Sequence, residues 1–177
     1  MGLDSAYSQV TDQELAMLER YSRDAQVICE IGCYEGRTSV ALACNTAARV
    51  YSIDPFFRGR LGICYTEWVA KLNRWRNGAE NLIYIKGLSQ EVARTFNSPI
   101  DLLFIDADHS YEAVQMDWQE WFPKVRKGRY IALHDAKLAD CSPQQLGSMR
   151  FYSEEIPKLA AVTECDSIDS LAIFRCC

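Results

Sequence analysis

Apolar and polar positions alternate along the chain between two patterns. Residues 27–31, 50–53, 82–85, 100–105 and 130–133 are short, mostly apolar runs that end at Gly, Asp or His. Runs of this length without strict alternation mark strands covered on both faces. Residues 37–47, 65–77, 89–96 and 111–125 carry apolar side chains at helical spacing, and Asn77-Gly78 and Lys127-Gly128 stop two of them. A further helix is expected over 11–21, where Thr11 and Glu14 have the spacing of a capping box. Residues 149–159 read as the last helix, with Pro157 limiting its end. Two final strands, 162–165 and 171–174, lie close enough to form a hairpin.

Regular alternation of strand and helix predicts an α/β fold of three layers around a mostly parallel sheet, with an antiparallel last strand. The 177 residues suit one domain, 1–177, with 1–26 as an N-terminal helical extension. Sheets of this kind bind ligands at the carboxyl ends of their strands. Polar residues should therefore gather there, and Glu30, Asp54, Asp106, Asp108, His109, His134 and Asp135 do.

Composition narrows the field. Hydrophobic residues make up 49% of the chain, enough for a core, and no apolar run approaches a membrane-spanning length. The polar, mixed-charge beginning does not read as a signal peptide, so a cytoplasmic location is expected. The net charge is -5, which argues against a nucleic-acid partner, and the basic group Lys124, Arg126, Lys127 and Arg129 reads as a solvated helix end. Eight cysteines occur without a Cys-x-x-Cys pair. They are expected to be reduced thiols rather than zinc ligands. Oligomeric state, a homodimer among the options, leaves no mark on the sequence.

Candidate chemistry begins at Glu30-Ile31-Gly32-Cys33-Tyr34-Glu35-Gly36, between the first strand and its helix. Gly32 allows a sharp turn and close approach to a ligand, and Gly36 lets the helix start near the strand. Asp54 ends the next strand, 22 residues after Gly32, at the distance where a carboxylate takes the hydroxyls of a ribose. Tyr34 stands where a dinucleotide fingerprint has its central glycine, and its side chain crowds the path of a pyrophosphate. The pattern suits a nucleoside without phosphates. It resembles the cofactor motif of class I S-adenosylmethionine-dependent methyltransferases over roughly 27–135. That resemblance implies a Rossmann-like, seven-stranded sheet with a reversed last strand. Glu30 and the Gly32 backbone would hold the methionine end of the cofactor, with Tyr34 and Gly36 completing the loop. Asp54 would hold the ribose, and Gly87-Leu88-Ser89 would lie beside the adenine.

A second constellation is Asp106-Ala107-Asp108-His109, after the fourth strand, with His134-Asp135 after the fifth. Neighbouring strands lie about 4.8 Å apart, so Asp106 and Asp135 can approach, and a divalent ion would relieve their repulsion. Asp106 can also face the sulfonium region of the cofactor. Asp108 reads as an N-cap for the helix opening near Tyr111, or as a group behind a ligand, rather than as a ligand. The segment resembles short metal-dependent O-methyltransferases. In that resemblance Asp106 is the first metal ligand, His134 and Asp135 supply the others, and His109 is the base. His134 departs from the pattern, because those relatives carry a carboxylate there. Imidazole favours transition ions, so manganese or another transition ion is expected at least as much as magnesium if a metal binds.

These readings lead to methyl transfer to a hydroxyl of a small-molecule acceptor, from S-adenosylmethionine, with a divalent metal as an optional assistant. The rival is a cofactor-binding module without catalysis, suggested by how little chain remains for an acceptor lid beyond 56–65 and 136–148. A nicotinamide oxidoreductase is disfavoured by Tyr34, and base methylation by the lack of an Asn/Asp-Pro-Pro-aromatic motif. Phe56, Phe57 and Trp68 suit either an aromatic pocket or the core.

Overall fold

The computed structural model describes residues 6, 8–59, 62–137 and 146–177. Parts of both expected lid segments, and Cys141, lie outside the described residues. Helix α1 (Asp12–Ser22) starts at Thr11 with both halves of the capping box formed: the Thr11 hydroxyl accepts from the Glu14 amide, and the Glu14 carboxylate accepts from the Thr11 amide. The chain continues as β1 (Val27–Ile31), α2 (Arg37–Asn45), β2 (Arg49–Asp54), α3 (Tyr65–Arg76), β3 (Leu82–Lys86), α4 (Ser89–Thr95), β4 (Ile100–Ile105), α5 (Tyr111–Trp121), β5 (Val125–Leu133), α6 (Gly147–Glu154), β6 (Val162–Ile168) and β7 (Leu171–Cys176).

The strands form one seven-stranded sheet in the order β3-β2-β1-β4-β5-β7-β6. β1 to β5 pair in parallel, and β7 runs antiparallel to both β5 and β6. This is a Rossmann-like, seven-stranded sheet with a reversed last strand, as expected. Strand period places alternate side chains on opposite faces. Ile31, Leu103, Ile105 and Leu133 pack with Val114 and Trp118 of α5 and Phe151 of α6. Ile28, Leu102, Phe104 and Ala132 pack with Leu18 of α1 and Leu42 of α2. β4 is buried at all six positions, as its apolar run requires. The chain leaves β1 for β2 and β3 on one side, then returns to β4 on the other. A crevice therefore opens between the ends of β1 and β4, where this class of sheet binds ligands.

The largest difference from the sequence reading lies between α5 and β5. Helix α5 stops at Trp121, and Phe122–Lys124 forms one 3-10 turn. Pro123 lacks the N–H that another helical turn needs. The polar residues 125–129, expected as a helix end, are the first half of β5. Arg126 and Arg129 turn to the buried Asp101 of β4, at 2.8 and 3.2 Å. Asp101 also accepts from the amides of Gln26 and Val27, at 2.8 and 3.0 Å. This carboxylate ties the entrances of β1, β4 and β5 together, at the opposite end of the sheet from the crevice. The seven described cysteines are free thiols, and burial raises those of Cys29 and Cys33 well above the ordinary range. Among the described residues no helix is long and apolar enough to cross a membrane.

Asp101→Ala removes the acceptor of two backbone donors and of two guanidinium groups. Each buried donor left without a partner costs about 1–3 kcal/mol. A loss of roughly 2–4 kcal/mol in urea unfolding is expected, with the denaturant slope unchanged.

Candidate active site

A cavity of about 610 Å³ opens at the carboxyl ends of β1, β2 and β4 and reaches the loop after β3. Its rim is set by Gly32. The Gly32 amide donates to the Ile53 carbonyl at 2.8 Å, and the Asp106 amide donates to the Ile31 carbonyl at 2.9 Å. Gly32 has φ +85°, and a Cβ built there would stand 2.2 Å from the Asp106 carbonyl oxygen. Glycine is thus required by the loop after β4, as well as by the turn. Asp54 closes the same loop from the side. One of its oxygens accepts from the amides of Cys33 and Tyr34, at 3.0 and 3.1 Å. The other accepts from the Phe56 amide at 2.7 Å. Asp54 still lines the cavity with part of its surface exposed, and each carboxylate oxygen has acceptor capacity left.

Glu30 lies at the cavity floor, buried, and accepts from the hydroxyls of Ser39 and Ser52. Burial pushes its carboxyl up to about 7, against the lowering effect of those hydroxyls and with added repulsion from Asp106 and Asp54. At the other end lie Leu88, Ser89 and Gln90. The Ser89 hydroxyl accepts from the Trp121 indole at 2.8 Å, and the Gln90 amide donates to Asp117 at 3.3 Å. Burial, and secondarily Asp108, pushes Asp117 up to about 6. Gly36 is not brought to the cavity. It opens α2 in the left-handed region, and a Cβ there would stand 2.3 Å from the Tyr84 hydroxyl.

Beyond Asp106 the residues of the second constellation are brought together in an unexpected order. Ala132 packs on the α1 face of β5, and by the strand period His134 follows it there. The imidazole is buried, 3% exposed. Its Nε2 meets Glu14 Oε2 of α1 at 3.2 Å, and its Nδ1 lies 2.9 Å from Asp106 Oδ1 and 3.7 Å from Asp135 Oδ2. The Nδ1–H direction is not aligned on Asp106, so that contact is ionic rather than a well-formed hydrogen bond. Glu14 is completed by the amide and hydroxyl of Ser170, at 3.0 and 2.7 Å. Burial disfavours charge on His134, but the carboxylates around it win and raise it to about 10. Burial likewise opposes charge on Glu14, yet His134 and the Thr11 amide hold it down at about 2. His109 lines the cavity, and its Nδ1 lies 3.5 Å from Asp135 Oδ2. Asp108 accepts from the Ser110 amide at 2.8 Å and holds the turn, while the N-cap of α5 is Ser110 and not Asp108 as expected.

Residues 29–136, more than half of the chain, match the family model of a methyltransferase domain. The chain belongs to this methyltransferase family. An uncharacterised protein of Acanthamoeba polyphaga mimivirus is 31% identical over an alignment of 132 residues that covers 70% of this chain and 58% of that protein. The chain thus spans less than two thirds of that relative's length. Among solved structures, the O-methyltransferase TomG of Streptomyces achromogenes, in complex with S-adenosylmethionine, superposes with TM-score 0.71 at 19% identity, covering 98% of this chain and 82% of that one. The O-methyltransferase of Bacillus cereus, in complex with S-adenosylhomocysteine, gives TM-score 0.68 at 18% identity over 94% and 82%. An rRNA methylase of Streptococcus thermophilus gives TM-score 0.68 at 12% identity over 96% and 97%. At these identities the likeness is one of fold.

Within this methyltransferase domain the cavity brings Glu30, Gly32, Tyr34, Asp54, Leu88, Ser89, Asp106 and His109 together. Among the described residues no group of three or more His, Cys, Asp or Glu side chains is arranged to hold a metal ion. The ring of His134 stands between the carboxylates of Glu14 and Asp106. Phe56 is buried against Cys33, Ala70 and Tyr84, Phe57 is 75% exposed at the cavity rim, and Trp68 sits on a separate groove between α2 and α3. Sequence reasoning missed Glu14, Gln90 and Asp117. Asp117 had a visible signal, because it falls on the same helical face as Val114, Trp118 and Trp121.

The Glu14–His134 pair sets a pH window for stability. Glu14 is depressed from 4.5 to about 2, so its contribution is present above pH 4.5 and is lost as pH falls toward 2. His134 is raised from 6.5 to about 10, so its contribution is complete below pH 6.5 and is lost as pH rises toward 10. The melting temperature should therefore peak between about pH 4.5 and 6.5. In Glu14→Gln the alkaline decline should narrow, as read by calorimetric melts across pH.

Proposed function

We propose that this domain transfers the methyl group of S-adenosylmethionine to a hydroxyl of a small-molecule acceptor. The observation that carries the reading is the cavity between β1 and β4, where the Asp54-braced loop and the His109–Asp135 pair face one space. When bound, the cofactor supplies a methyl group on a cationic sulfur and is left as the thioether S-adenosylhomocysteine. Asp54 takes the ribose hydroxyls with the acceptor capacity its three amide bonds leave free. Glu30 and the Gly32 loop receive the methionine end, and Ser89, Gln90 and Asp117 form the wall for the base. Asp106, which lines the same cavity, would face the sulfur.

His109 takes the proton of the acceptor hydroxyl. Its Nδ1 faces Asp135, which leaves Nε2 free to accept and lets the carboxylate stabilise the charge that forms. Holding the hydroxyl in line with the methyl group is the larger part of the catalysis. A small acceptor suits the chain better than RNA, although the fold hosts an rRNA methylase. The net charge is -5, and Arg126 and Arg129 of the basic group are paired with Asp101 at the far end of the sheet.

Calorimetry should show S-adenosylhomocysteine binding and no NAD binding, since Tyr34 stands in the pyrophosphate path. Asp54→Ala should weaken that binding by about 1.5–3 kcal/mol, the scale of bonds to a charged acceptor. Binding of NAD without binding of the S-adenosyl ligand would end the proposal. With an acceptor found among catechols, phenols and sugars, His109→Ala should lower turnover about 100-fold or more and leave cofactor affinity nearly unchanged. Near-wild-type turnover would reduce His109 to a turn residue. Cofactor binding without turnover on any acceptor would favour a binding module instead.

A further inference from the structure

The loops after β4 and β5 present Asp106 and Asp135 to one another, with the buried Glu14 behind them. Three carboxylates so close repel unless a cation stands among them. His134 Nδ1 and Asp106 Oδ1 are 2.9 Å apart, with Asp135 Oδ2 at 3.7 Å. A nitrogen lone pair would not rest that close to an ionised oxygen with nothing between them. The positive charge is either a proton on the ring or a metal ion beside it.

Three observations favour the proton. The separation of 2.9 Å is that of a close ion pair between a charged ring and a carboxylate. The second ring nitrogen also ends on a carboxylate, Glu14, which is itself fixed by Thr11 and Ser170. Finally, the described side chains offer no set of three donors around an open position. A ring with an ionised carboxylate at each nitrogen carries a proton on both, and that form has no lone pair for a metal.

We propose that His134, clamped from behind by Glu14 of α1, is a built-in cation that occupies the place of a divalent metal and positions Asp106 for a metal-independent methyl transfer. The inference rests on the methyltransferase reading above for the word transfer, but the occupancy of the site stands apart from it. His134 does not line the cavity, so it is a positioning residue. The role of α1 follows: the N-terminal helix supplies the carboxylate that keeps the ring in its cationic form, and the capping box that starts α1 also aims Glu14.

The test is a manganese titration of the folded wild-type chain and of Asp106→Ala, followed by the electron paramagnetic resonance of free Mn²⁺. Equal free-ion signals are expected at every addition. Uptake of about one equivalent by the wild type that Asp106→Ala lacks would overturn the proposal. Nitrogen-15 spectra of the imidazoles at pH 7.5 give a second reading that needs no variant: both His134 nitrogens should be protonated, and a bare Nδ1 would also overturn it. In Glu14→Gln the doubly protonated fraction should fall, whereas an unchanged fraction would contradict the clamp. Calorimetry with S-adenosylhomocysteine on the same sample separates the two claims, since failure there removes the cofactor reading and leaves the ion readings intact.

Discussion

The site depends on one close approach, between the backbone of Gly32 and the carbonyl of Asp106. The loops after β1 and β4 meet there without a side chain between them, and a single Cβ would stand 2.2 Å from the oxygen. Strand order makes the meeting necessary, because β1 and β4 are neighbours while the chain between them passes through β2 and β3. The crevice lies above that contact. Asp54 then braces the first loop through two consecutive amides and Phe56, so the groups that would receive a nucleoside are held before any ligand arrives.

Electrostatics divides the crevice into two halves. On one side, burial without a cation leaves Glu30 and Asp117 with raised proton affinity. On the other, Glu14, Asp106 and Asp135 share the His134 ring, and the balance tips toward charge. Desolvation is the largest single effect on both Glu30 and His134. It prevails at Glu30, whose partners are neutral hydroxyls, and loses at His134, whose partners are carboxylates. The same burial thus leads to opposite outcomes, decided by what faces the group.

Much of the fold was legible in the sequence. The apolar run 100–105 could only be a covered strand, and it is the fully buried centre of the sheet. The capping residues of α1 and the hairpin of β6 and β7 were equally plain. One element was obscured. The first half of β5 is polar, since two of its side chains turn to Asp101. A hydrophobicity pattern cannot show strands of that kind. In the site, Gly32 and Asp54 announced themselves by spacing, but Gly32 also answers to a backbone contact that no local pattern contains. His134 drew attention as one of only two histidines. Its partner Glu14 lies 120 residues away, and sequence alone gave no reason to join them.

The central claim is that the crevice between β1 and β4 is the cofactor site. Mapping of backbone amide shifts during addition of S-adenosylhomocysteine tests it most directly. The largest changes are expected at Gly32 to Tyr34, at Leu88 to Gln90 and at Ala107 to His109, with Asp101 and the α2–α3 groove undisturbed. Changes centred on that groove around Val69 and Leu72, with the Gly32 loop silent, would contradict the account.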